Sequence, residues 1–135
     1  MHVHRTVQLE RLPMTRIAAK PEALDKADFG NARLYRVAPD ELYVDADVDA
    51  LAVDDEYAIL TKEASLSGVW LSAKDAKHFL VRECAWQLPE ARPAFAQGAI
   101  AHLPVKLYLE KERALIMTFS PFAHDLAKRL SEVLA

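Results

Sequence analysis

The fold of this chain is set by Leu66-Ser-Gly-Val-Trp-Leu-Ser72 and by Ala73-Lys-Asp-Ala-Lys-His-Phe-Leu80, which follows it directly. The first segment is apolar, short and free of proline, which predicts a strand over residues 66–71. Ser72 is a favoured residue at the N-cap of a helix, and Asp75 stands three positions later, as in a capping box. The sequence therefore predicts a strand that leads straight into a helix.

The predicted helix has one apolar face. Apolar side chains recur there at helical spacing, which indicates a stripe buried against a core. Cys84 closes this stripe and is expected to act as a small hydrophobic residue, because a catalytic thiol needs a polar, partly exposed setting. It is also the single cysteine, which excludes a disulfide within the chain and fits a cytoplasmic location. The stripe consists of Ala76, Phe79, Leu80 and Cys84.

The opposite face of this helix is basic. Lys74, His78 and Arg82 follow one another at intervals of four residues, so they share one side of the helix. We call these three residues the basic face. A solvated surface is the ordinary role of such residues, and contact with an acidic partner is the functional alternative.

The region after the helix predicts a hairpin and a second helix. Residues 105–109 alternate between apolar and polar, Lys111-Glu112 forms a turn, and residues 115–119 return as a strand. Ser120-Pro121 then begins the last helix with a cap and a proline at its first position. Pro89 and Pro93 predict an irregular segment before the hairpin. The buried stripe of the last helix is predicted to contain Phe122, Leu126, Leu130 and Leu134.

The region before residue 66 has weaker signals. Residues 33–37 and 41–45 predict two strands joined by the turn Ala38-Pro39-Asp40, and residues 57–61 predict another strand. Short helices are predicted over residues 21–29 and 47–53. Residues 3–12 are expected to form an edge strand or an arm. The whole predicts a single α+β domain over residues 1–135, with a mostly antiparallel sheet and two to four helices.

Composition excludes several classes of protein. The 135 residues carry a net charge of −3, which gives no electrostatic footprint for nucleic acid. No apolar run approaches the length of roughly 18 residues needed to span a bilayer. No charged and then apolar leader opens the sequence, so a cytoplasmic location is expected. Glycine-rich phosphate loops, Gly-x-Ser-x-Gly and His-Glu-x-x-His are also missing from the sequence, so no catalytic residues are assigned.

Two segments resemble metal sites, and neither predicts one. Residues 45–56 place carboxylates at positions 1, 3, 5 and 12 of an EF-hand loop, but Ala50 stands where the sharp turn needs glycine. The flanks of this segment predict strands, whereas an EF-hand needs helices. His2 and His4 share one side of an extended chain, without a third ligand close in sequence. No metal site is therefore predicted.

Several motifs, in order, resemble the gamma subunit family of sarcosine oxidase. They are Arg33-Leu-Tyr-Arg-Val-Ala-Pro-Asp-Glu-Leu-Tyr-Val, Gly68-Val-Trp-Leu-Ser-Ala-Lys-Asp-Ala-Lys-His-Phe-Leu, Cys84 with Pro93-Ala-Phe-Ala-Gln-Gly-Ala, Pro104-Val-Lys-Leu-Tyr-Leu, and Phe119-Ser-Pro-Phe-Ala-His-Asp-Leu. The resemblance covers residues 33–134. It implies the fold of the folate-binding domain of aminomethyltransferase-like proteins, within the glycine-cleavage T-protein superfamily. It also implies a small accessory chain whose larger, flavin-containing partner subunits carry the chemistry.

Three functions follow as hypotheses. The first is an accessory, noncatalytic subunit of a sarcosine-oxidase-like oxidoreductase complex, which binds no cofactor itself. The second is a module that binds tetrahydrofolate or another acidic aromatic compound, in which Trp70, Trp86 or Phe95 stacks on a ring and Lys74 or Arg82 meets a carboxylate. The third is a self-associating structural protein. For the first hypothesis, the predicted loop 89–98 with Trp86 and Phe95 is the contact centre and the basic face is its rim.

Overall fold

A computed structural model describes residues 6–135 and shows an α+β fold with two antiparallel sheets and three α-helices in that range. This confirms the predicted fold class. His2 and His4 lie outside the described residues. The elements are β1 (Glu10–Arg11), β2 (Met14–Ala18), α1 (Pro21–Lys26), β3 (Leu34–Ala38), β4 (Glu41–Val44), β5 (Ile59–Glu63), β6 (Leu66–Ser72), α2 (Ala73–Glu83), β7 (Ala94–Ile100), β8 (Leu103–Leu109), β9 (Arg113–Phe119) and α3 (Ala123–Leu134), with 3-10 turns at Ala50–Ala52 and Ser120–Phe122.

The chain divides into two compact units. The large unit contains residues 6–12 and 65–135, and the small unit contains residues 13–64. The described chain thus passes from the large unit into the small unit at residue 13 and returns to the large unit at residue 65. The short strand β1 joins the large unit by pairing with β6, where Arg11 lies opposite Ser67. The prediction of one domain over the whole chain stays a prediction.

The large unit is a five-stranded antiparallel sheet whose one face is covered by α2 and α3. Its strand order is β1-β6-β9-β8-β7. Side chains alternate across each strand, so one set from β8 and β9 meets the apolar stripes of both helices. Burial of each large apolar side chain in this layer contributes about 1.5–3 kcal/mol. Fully buried members of this core are Phe79, Leu107, Ile116, Leu126 and Leu130.

The predicted strand-to-helix junction is confirmed. Strand β6 ends at Ser72, whose hydroxyl oxygen accepts a hydrogen bond from the Asp75 backbone N–H at 3.1 Å. This bond satisfies one of the N–H groups that a helix leaves unpaired at its start. The last helix differs in two respects from its predicted stripe: Phe122 is 39% exposed, and Val133 is buried on the core side.

The small unit is a four-stranded antiparallel sheet of order β3-β4-β2-β5. Strand β2 is central in this sheet, although the sequence had predicted no strand between residues 12 and 21. Pro21 begins α1, as predicted, but the helix ends at Lys26. The predicted helix over residues 47–53 is only the short 3-10 turn at residues 50–52. The core of this unit contains Ile17, Leu24, Leu42, Val44 and Val53.

Strand β7 corrects the predicted loop 89–98. The irregular chain ends at Pro93, and residues 94–100 pair with β8 from Ala94 opposite Leu109 to Ile100 opposite Leu103. The prolines stand before the strand and so do not interrupt it. The chain over residues 94–99 is rich in alanine and has one glycine, so local propensity favours a strand only weakly, and pairing with β8 decides it.

Among the described helices, none combines the length and the apolar character that a membrane-spanning helix requires.

Candidate functional site

A groove in the large unit is the main candidate site. It lies between α2, the turn that joins β8 to β9, and the segment 84–93, and its cavity volume is about 490 Å³. We call it the helix groove. Cavities of this size with mostly apolar walls and a few polar groups are typical of sites for small molecules. Its apolar walls are formed by Ala76, Leu80, Val81, Cys84, Trp86, Leu88, Leu109 and Ala114.

The charged residues of the helix groove are mostly cations. Lys77, Arg92 and Lys111 line it, and Glu110 is its one lining carboxylate. Glu110 accepts a hydrogen bond from Nε of Arg113 at 2.8 Å, so its charge is already paired. The groove therefore combines an apolar wall with unbalanced positive charge. Sequence reasoning missed these three cations, since they are far apart in the chain and none belongs to a recognised motif.

Trp86 forms one wall of the groove and is fixed by the edge strand β7. Its indole Nε1 donates a hydrogen bond to the backbone carbonyl of Ala99 at 2.9 Å. Strand β7 is the outermost strand of this sheet, so the carbonyls on its outer side have no neighbouring strand to pair with. The indole thus satisfies a strand carbonyl and covers part of the sheet edge. Trp86 is half-buried and packs against the core, which makes packing its first role.

Cys84 lies on the same wall. Its thiol donates a weak hydrogen bond to the backbone carbonyl of Trp86, with the two heavy atoms 3.3 Å apart. The residue is half-buried at the end of α2, where the sequence placed it on the apolar stripe. Its partial exposure in the groove makes it an internal reporter of whatever occupies this space.

The basic face lies beside the groove, on the exposed side of α2. Lys74, His78 and Arg82 line a shallow depression of about 530 Å³ together with the end of α3. Nε2 of His78 is 3.2 Å from the backbone carbonyl oxygen of Val133, so one imidazole nitrogen is committed to the helix packing. The structure therefore brings the three predicted basic residues together on one surface, as the helical spacing indicated.

Trp70 and Phe95 lie on the other face of the five-stranded sheet. Phe95 is opposite Tyr108, Tyr108 is opposite Leu115, and Leu115 is opposite Trp70, so these residues form one row across four strands. The guanidinium carbon of Arg113 stands 3.8 Å from the centroid of the Trp70 ring. This distance is well within the range of a cation–π interaction.

The three aromatic residues named for a ligand pocket do not share one surface. Phe95 points away from the helix layer, whereas Trp86 packs on the helix side of the same strand, over Gly98. Trp70 and Phe95 are separated by three strand spacings, about 14 Å. A single ring cannot stack between these side chains. The predicted contact centre of Trp86 and Phe95 is likewise divided between the two faces of β7, because Trp86 packs on Gly98, which lies three residues from Phe95 and so faces the opposite side of the strand.

Charged groups in the small unit have structural partners. Nε of Arg16 on β2 donates to Oε1 of Glu41 on β4 at 2.8 Å, and this bond raises the pKa of Arg16. Burial raises the pKa of the neighbouring Tyr43, and the negative charges of Glu41 and Glu63 raise it further. With raised pKa values, Arg16 stays cationic and Tyr43 stays neutral at neutral pH, and the bond between Arg16 and Glu41 joins the two strands. Within residues 6–135, no three His, Cys, Asp or Glu side chains converge in a way that suits a metal ion.

Comparison with known proteins identifies a structural relative. The chain is similar to a chain of the heterotetrameric sarcosine oxidase from Corynebacterium sp. U-96, whose structure was solved in complex with pyrrole 2-carboxylate. The two share 14% sequence identity, with a TM-score of 0.69 over 99% of this chain and 86% of that chain. No protein-family model and no curated protein matches the sequence. The likeness confirms a sarcosine-oxidase-like fold.

Proposed function

We propose that this chain is an accessory, noncatalytic subunit of a sarcosine-oxidase-like complex. The observation that carries the proposal is the extent of the structural likeness, which takes in 99% of this chain and 86% of a chain that belongs to a heterotetrameric enzyme. The motifs over residues 33–134 support the same role, because they resemble the gamma subunit family in their order. In this proposal the larger partner subunits hold the flavin and perform the oxidation.

An accessory subunit needs a surface that its partner can cover. Three strongly exposed large apolar side chains lie close together in the sequence of the small unit: Leu51 is 92% exposed, Tyr57 81% and Ile59 60%. We call residues 51–59, which carry these three side chains, the 51–59 segment. Ile59 also begins β5, an edge strand of the small sheet. Apolar side chains beside an open strand edge are features of protein interfaces, so this segment replaces Trp86 and Phe95 as the proposed contact centre.

The proposal is tested by capture from the organism's own lysate. A tagged version of the full chain should bind large chains that carry flavin absorbance, and the captured complex should oxidise sarcosine. The isolated chain should show neither flavin absorbance nor sarcosine oxidation. Oxidation of sarcosine by the isolated chain, or capture that yields no flavin-containing chain, would contradict the proposal.

The contact surface is tested with a matched pair of variants. Tyr57→Ser combined with Ile59→Ser should weaken capture by more than about 1 kcal/mol, because exposed apolar anchors dominate the affinity of interfaces. Leu34→Ser is the control, since Leu34 is 40% exposed on β3, at the opposite edge of the same sheet. Equal capture by the double variant and the wild type would show that the partner binds elsewhere.

A further inference from the structure

The helix groove has the character of a binding site for a small apolar anion. One wall of the groove is apolar and includes buried Leu80 and Leu109 with half-buried Cys84 and Trp86. Covering this wall with the apolar part of a ligand is favourable, because it removes apolar surface from water. A volume of about 490 Å³ lies within the range of pockets that enclose small organic molecules.

The cations that line the groove favour a negatively charged ligand. Lys77, Arg92 and Lys111 line the groove, and none of them forms an ion pair with a carboxylate of residues 6–135. The groove's own carboxylate, Glu110, is paired with Arg113. An anion in the groove would therefore meet three positive charges and no free negative charge.

Hydrogen bonds to the backbone hold the side chain of Arg92 in position. Its Nη1 donates to the backbone carbonyls of Pro89 at 2.6 Å and Ala91 at 2.9 Å. Both bonds use the same nitrogen, so the remaining guanidinium donors stay available to a carboxylate. Anchoring the side chain before binding reduces the conformational entropy that the ligand has to overcome.

We propose that the helix groove binds a monocarboxylate with an apolar body. The body covers Leu80, Cys84 and Trp86, and the carboxylate lies among Lys77, Arg92 and Lys111. Charge complementarity distinguishes this ligand from neutral or cationic molecules of the same shape. This inference is independent of the accessory role, because the groove belongs to the large unit and the proposed partner surface to the small unit.

Cys84 makes the proposal measurable on the full chain. Because it is the single cysteine, alkylation by the neutral reagent iodoacetamide adds one label per chain, which mass spectrometry can follow. Octanoate, used below its micellar concentration, should slow this reaction in a saturable manner. Octylammonium and 1-octanol, which have the same apolar body without the negative charge, should protect much more weakly.

Charge reversal tests the three cations. Lys77→Glu with Lys111→Glu should weaken protection by octanoate roughly tenfold, since two attractive charges become repulsive. Lys74→Glu with Lys128→Glu is the control: it changes the net charge equally, and neither lysine lines the groove. Arg92→Gln is a further variant at an exposed position, and it should also weaken protection.

Three results would overturn the proposal. One is an alkylation rate that octanoate leaves unchanged. Another is equal protection by octanoate and octylammonium, which would show apolar burial without selection for an anion. The last is equal loss of protection in the two double-lysine variants. If a captured protein partner protects Cys84 and octanoate does not, the groove is a protein-binding surface.

Discussion

Trp86 and Gly98 fit together so closely that a side chain at residue 98 is excluded. A Cβ atom added at Gly98 would lie 2.8 Å from Cε2 and 2.9 Å from Nε1 of the Trp86 indole. The ring cannot easily withdraw, because its Nε1 is bonded to the carbonyl of Ala99. Gly98 therefore lets an aromatic ring pack directly on the backbone of an edge strand, which is possible because glycine has no side chain.

Gly98→Ala should lower the free energy of unfolding by about 1–3 kcal/mol, the usual cost of forcing extra volume into a packed site. Urea unfolding followed by circular dichroism measures this change. In a Trp86→Ala background the same substitution should cost much less, because the clashing ring is gone, and the two changes should therefore not be additive. An equal cost in both backgrounds would show that the loss comes from the backbone.

Arg113→Ala should lower the free energy of unfolding by about 0.5–1 kcal/mol, because the guanidinium group stacks on the Trp70 ring. Glu110→Gln separates this effect from the ion pair that Arg113 also forms. Trp86→Phe provides the background, since it leaves Trp70 as the single tryptophan. The emission of Trp70 should then change in Arg113→Ala and stay the same in Glu110→Gln. Unchanged emission in both would exclude the stacking.

Ser72→Ala should lower the free energy of unfolding by about 1 kcal/mol, the typical loss when an N-cap hydroxyl is removed. The reason is that the Asp75 backbone N–H loses its acceptor at the start of α2. Ser72→Asp keeps an acceptor at this position and should restore most of the stability. Urea denaturation of the three proteins provides the comparison, and equal midpoints for the alanine and aspartate variants would argue against the cap.

Asp55 should make stability depend on pH at the acidic end. Its carboxylate accepts the backbone N–H groups of Lys20 and Tyr57, both at 2.9 Å, and these bonds lower its pKa. Because the pKa of Asp55 is lower in the folded state, its stabilising contribution is fully present above its unfolded-state pKa of about 3.9. This stabilisation is lost as the pH falls through the folded-state pKa. Asp55→Ala should thus reduce the melting temperature at pH 7 and have little effect at strongly acidic pH.

Asp54→Ala is the control for this prediction, because Asp54 is an exposed neighbour of the same charge. The difference between the two variants isolates the hydrogen bonds of Asp55 from the general effect of one lost negative charge. A difference that persists unchanged at acidic pH would contradict the proposed origin of the stabilisation.

Local patterns in the sequence predicted the elements that carry their own signals. The capped start of α2, the alternation of residues 105–109 and the stripe of Leu126 and Leu130 all indicated the right structure, because each depends on neighbours within a few residues. The α+β class followed from the order of these elements. Strands β2 and β7 were missed. Residues 14–18 become a strand by pairing with β4 and β5, far along the chain, and the alanine-rich residues 94–100 become one by pairing with β8, the other strand of the same hairpin.

The sequence by itself determined the strand-to-helix junction, the buried stripes of the two long helices and the basic face of α2, because helical spacing and capping are local properties. Tertiary structure alone decided which aromatic residues share a surface. Trp86 is drawn onto Gly98 on the helix side, and Phe95 faces the other side of the same strand. Tertiary structure also places Lys77, Arg92 and Lys111 around one groove. Strand register and long-range packing set these positions, and neither can be read from the local sequence.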